Sequence, residues 1–154
     1  MLVFLPRMKN YPMPRDAAEQ IIRIILHAQE QQGPTGNSVN TFSVCSQECE
    51  LQVAKVLAQA EAHASSLRKL ASTILQVVRD PHRLSIVACL YFVAYRQGDD
   101  DAGFSWASMV MEGLVPTSSK ELDAIQAQAA AATYSRLASK GHGQAQFGMG
   151  RLVL

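Results

Sequence analysis

Cys45 and Cys49 stand four residues apart, a spacing that sets two thiols on one face of a helix. With His63 or Cys89 they offer the soft and imidazole donors that bind zinc. A structural zinc site takes four ligands in recognisable spacing, and here one cysteine pair has no second pair. The expectation is ordinary thiols with no metal; thiol redox or metal binding through Cys45 and Cys49 is the alternative. Three cysteines are too few for a disulfide framework, and an odd number leaves one unpaired, so a reducing compartment is expected. His142 would need an oriented acid or nucleophile to do proton chemistry, and none is legible beside it. His27, His63 and His82 are equally isolated. Asp99-Asp100-Asp101 lacks the later Gly and Glu of a calcium loop. Three acids just before a helix instead suit the positive end of its dipole. No Gly-rich phosphate loop, nucleophile elbow or His-Glu-x-x-His helix occurs. These residue types therefore predict no catalytic set, no cofactor and no enzyme.

The bulk numbers narrow the partners. The 154 residues fit one domain. With 48% hydrophobic and 18% charged residues the chain has material for a packed core. The net charge of +1 is scattered, Arg68-Lys69 being the longest basic cluster, which argues against nucleic acid. No run of about 18 apolar residues exists, so membrane insertion is not expected. Residues 1–15 form a basic segment expected to be unstructured, because Pro6, Pro12 and Pro14 interrupt any helix. It lacks the apolar length of a secretory signal and the serines of a mitochondrial presequence. The cytoplasm is the default location, with the mitochondrion as the alternative.

The elements that would position any site are helices. Asp16, with Glu19 three residues on, predicts a helix from 16 to 32 carrying Ile21, Ile22, Ile24 and Ile25. Residues 33–45, with Gly33-Pro34 and Gly36, read as a linker. The first helix is then either an appendage or a cap on the domain beyond the linker. From Gln47 to Arg79 there is neither Gly nor Pro. Val53, Val56, Leu57, Ala60, Ala64, Leu67, Leu70, Ala71, Ile74, Leu75 and Val78 keep the helical period, which predicts two helices, the second capped by Ser65 or Ser66. Asp80-Pro81 opens a helix with Leu84, Val87, Ala88, Tyr91, Phe92 and Tyr95 that stops at Gly98. The next, 102–112, should bury Ala102, Trp106, Met109 and Val110 and end at Gly113. Ser118 with Glu121 predicts a capping box for an Ala-rich helix from 119 to 140, closed by Gly141.

A 43-residue spacing runs through this last part: Gly98 returns as Gly141, Ala102 as Ala145, Phe104 as Phe147 and Val110 as Val153. Self-similarity at a fixed period of this length is the signature of stacked repeats. The run from Ala131 to Phe147, with Tyr134, Leu137-Ala138, Gly141-His142 and Ala145-Gln146, resembles the Sel1-like repeat family, and Gly150 fits a later glycine of that pattern. The earlier copy is more distant, with Gly98-Asp99, Trp106-Ala107, Val110 and Gly113 at the corresponding places. The resemblance covers about residues 84–154. It implies tetratricopeptide-like helix hairpins stacked into a superhelix, with an adaptor role in holding other proteins, and makes His142 a structural junction residue.

The expected fold is therefore an all-α solenoid of about six to seven helices, with a repeat domain over 46–154 and its clearest units at 98–140 and 141–154. Stacked hairpins leave a concave wall for a partner peptide or helix. Ser105, Ser108, Glu112 and Arg151 are expected to face it. The apolar ending Leu152-Val153-Leu154 falls inside the second unit, which suggests a piece of a longer array.

Overall fold

The computed structural model describes residues 13–32, 47–79, 83–115, 120–143 and 145. Among these residues the chain is all helical, with no strand: α1 Arg15–Gln32, α2 Gln47–Gln59, α3 Ala64–Val77, α4 Arg83–Arg96, α5 Asp100–Met111 and α6 Lys120–Ser139. The expected linker 33–45, the Asp80-Pro81 start, Ser118, and most of the segments 1–15 and 141–154 lie outside the described residues.

Helix α4 is the centre. Ile86, Val87, Ala88, Cys89 and Leu90 are all completely buried in succession, which a helix shows when it is covered on every side. It packs between α3 and α5, with α1 against it as well, and α5 in turn packs on α6. The main neighbour of α2 is α1, not α3. The periodic stretch from 47 to 79 is thus two helices that belong to different pairs. Helix α1 is no appendage, because Ala18, Ile21, Ile22 and Ile25 are part of the core.

Helix ends explain the boundaries. Among the described residues, four turns end in a left-handed residue, with the next N–H bonded five residues back: Ala62 to Leu57, Asp99 to Ala94, Leu114 to Met109 and His142 to Leu137. Gly98, Gly113 and Gly141 take the left-handed position at φ of +110°, +74° and +89°, where a glycine has no Cβ to clash. At the remaining turn the residue is Glu61, at φ of +54°. Two starts differ from expectation. The cap of α3 is His63, not Ser65 or Ser66; Ser66 sits three residues in and its hydroxyl accepts from His63 N at 3.3 Å. Helix α1 begins one residue before Asp16, and Glu19 pairs with Arg15 at 3.1 Å instead of reaching back to the backbone.

Two buried tyrosine hydroxyls are each met by a serine across a helix pair. Ser72 on α3 lies 2.8 Å from Tyr91 on α4, and Ser108 on α5 lies 2.6 Å from Tyr134 on α6. These bonds remove the cost of burying an unpaired hydroxyl and fix the rotation of each helix against its neighbour.

Candidate functional site

The N-terminus of α5 gathers two ion pairs and a histidine–carboxylate hydrogen bond. Asp99 caps the helix, its Oδ1 accepting from Ala102 N at 2.9 Å, and Arg68 Nε of α3 lies 3.1 and 3.0 Å from its two carboxylate oxygens. Asp100 meets Lys140 Nζ at 2.9 Å, and Asp101 Oδ1 lies 2.7 Å from His142 Nε2. The acids do more than complement the helix dipole, since each ties α5 to a different residue beyond it. Asp99 is the strongest of these anchors, because its side chain is only 10% exposed and screening is weak there.

The same backbone pattern occurs twice at the 43-residue spacing. Gln97 N bonds to Val93 and Ala94 carbonyls, Gly98 N to Tyr95 and Asp99 N to Ala94; one period on, Lys140 N bonds to Arg136 and Leu137, Gly141 N to Ala138 and His142 N to Leu137. The capping atom keeps its place too. Where Asp99 accepts from Ala102 N, His142 Nδ1 accepts from Ala145 N at 3.1 Å. Ala102 and Ala145 are both completely buried. Because Nδ1 accepts, the ring proton sits on Nε2 and is donated to Asp101. The ring also stacks on Phe104, centroids 5.6 Å apart, and Phe104 packs edge-on against Tyr134.

Of the residues expected to face a groove, Ser105, Ser108 and Glu112 lie on α5 or at its end. Ser108 is half-buried and its hydroxyl lies 2.6 Å from that of Tyr134 on α6. Ser105 is half-buried, Glu112 is the exposed C-cap of α5, and Arg151 lies outside the described residues. Of the expected framework positions, Trp106 is buried against Phe92 with centroids 5.1 Å apart. Ala138 is half-buried between Leu137 and the α6 terminus, and Gly150 lies outside the described residues.

An open cleft lies elsewhere, between α2 and α4. It measures about 420 Å³ and is lined by Glu50, Leu51, Ala54, Val93, Arg96 and Gln97. Its floor is apolar, Val93 being completely buried, while Leu51 at the rim is 65% exposed. Glu50 and Arg96 pair at 3.4 Å alongside. A cleft of this size, apolar with a few polar groups at its edge, suits an inserted apolar side chain. Sequence reasoning missed it because its two walls are far apart in the chain. The one local signal was Leu51, an apolar residue off the stripe of Val53, Val56 and Leu57.

Of the four candidate ligands Cys45, Cys49, His63 and Cys89, three are among the described residues. Cys49 and Cys89 are both buried, Cys45 lies outside the described residues, and His63 is exposed at the start of α3. Among the described residues no three His, Cys, Asp or Glu side chains converge as a metal site would require, and no helix is long and apolar enough to cross a membrane. Comparison of the chain with protein-family models, curated proteins and solved structures finds no match.

Proposed function

We propose that the chain is a non-enzymatic protein-binding scaffold built from Sel1-like helical repeats, which helps to hold or assemble a larger complex. The observation that carries this reading is the junction that recurs at a 43-residue spacing, with the same backbone bonds and an equivalent cap. Repeats of this kind bury their faces by stacking and leave extended surfaces for partners. The α2–α4 cleft is the surface that best suits a partner: an exposed segment of another protein would seat an apolar side chain on Val93, Ala54 and Leu51 and set charges against Glu50 and Arg96. The scattered charge speaks against nucleic acid, and the cytoplasm is the default compartment.

The test is quantitative affinity capture from the native extract with the parent chain and with a Leu51→Asp/Arg96→Glu variant. Both side chains are exposed, so the variant should keep the helical spectrum of the parent. The reading expects a discrete set of proteins bound by the parent and lost by the variant. Equal recovery by both, or no recovery, would count against it.

A further inference from the structure

Two junctions share their backbone bonds and differ in the atom that caps the chain three residues on. At Asp99 the cap is a carboxylate oxygen, and at His142 it is the ring nitrogen Nδ1. A carboxylate accepts whenever it is ionised, whereas an imidazole nitrogen accepts only while it carries no proton. The proton of the neutral ring is already committed to Asp101 from Nε2, so a second proton can only go to Nδ1, where it meets the N–H of Ala145. Turning the ring over does not help, because both nitrogens of a charged imidazole are donors.

We propose that His142 is a proton-operated latch: the neutral ring caps the chain at Ala145, the protonated ring releases it, and the Asp99 junction is unaffected. The charged groups around the ring do not cancel the effect. From α5, Asp101 faces Nε2, and Asp100 beside it is paired with Lys140 at the end of α6. The Asp101 side chain is 60% exposed, so the ion pair gained on protonation is screened by solvent. Imidazoles as a class change charge between about pH 5 and 8, which sets the range over which to look.

Amide hydrogen exchange on the full chain by nuclear magnetic resonance tests this, expressed as protection factors to remove the intrinsic pH dependence of exchange. From pH 7.5 to 5.5 the protection of Ala145 should fall about five-fold, the worth of a lost cap, while that of Ala102 stays constant. In His142→Asn an amide oxygen that does not titrate replaces Nδ1, and the protection of Ala145 should be equal at both pH values. Nitrogen spectra of the ring at pH 7.5 should show Nε2 protonated and Nδ1 bare. Constant protection of Ala145 in the parent, the same fall in His142→Asn, an equal fall at Ala102, or the opposite tautomer would each overturn the proposal.

Discussion

Gly103 on α5 is the position where one added carbon tests the packing most sharply. A Cβ there would stand 2.8 Å from Cγ and 2.7 Å from Cε1 of Tyr95, and nearer still to Cδ1. Because Cγ is one bond from Cβ of the tyrosine, ring rotation alone cannot relieve the clash. The same ring carries the Arg136 guanidinium 4.8 Å from its centroid, so moving it disturbs the α4–α5–α6 contact as a whole. Overpacking costs about 1–3 kcal/mol, and loss of the cation–ring contact adds about 0.5–1 kcal/mol. Replacing glycine within a helix returns about 1 kcal/mol. Gly103→Ala should therefore destabilise by about 0.5–3 kcal/mol. In a Tyr95→Ala background the clash is gone and only the helix preference remains, so Gly103→Ala should stabilise by up to about 1 kcal/mol. Urea unfolding of the four proteins, monitored by circular dichroism at equal slope, closes the cycle. If Gly103→Ala has the same effect in both backgrounds, or stabilises the parent, the Gly103–Tyr95 contact does not govern this interface.

Arg68→Ala should lower stability by about 1–2 kcal/mol, between the worth of an exposed pair and of a buried one, since the side chains are 30% and 10% exposed; an unchanged melting temperature would remove Asp99–Arg68 as an anchor. Glu61→Gly should raise stability by up to about 1 kcal/mol, because a left-handed backbone strains a side chain and not a glycine, and chemical denaturation reads the gain directly. Cys49 and Cys89 should resist alkylation in the native chain and react once urea unfolds it, as buried thiols do. Peptide mass analysis that finds either labelled under native conditions would contradict their burial.

The helical class and most helix ends were legible because the signals are local. Gly98, Gly113 and Gly141 each mark a left-handed turn, and Ala102, Trp106 and Val110 recur at the spacing that buries one face. The end of α2 was not legible, since Glu61 has no intrinsic preference for its backbone conformation. The cap of α3 was hidden for a similar reason: a histidine holds it, and the nearby serines, which cap more often, lie inside the helix. Long-range meetings were beyond reach of the sequence. The pairs Arg68–Asp99, Lys140–Asp100 and His142–Asp101 arise from how α3, α5 and α6 pack, and so does the cleft that α2 and α4 build together. Ser108 was expected in an open groove from its helical position alone; only the position of Tyr134 on the neighbouring helix shows that the hydroxyl is taken.

Binding of another protein at the α2–α4 cleft is open to site-specific photo-cross-linking. A photoreactive residue placed at Leu51, on the rim, is compared in the native extract with one at Lys69, exposed on α3. A partner seated in the cleft should give a discrete cross-linked product at position 51 that is missing at position 69 and is abolished by Arg96→Glu. Identical products at both positions, or none at position 51, would contradict it.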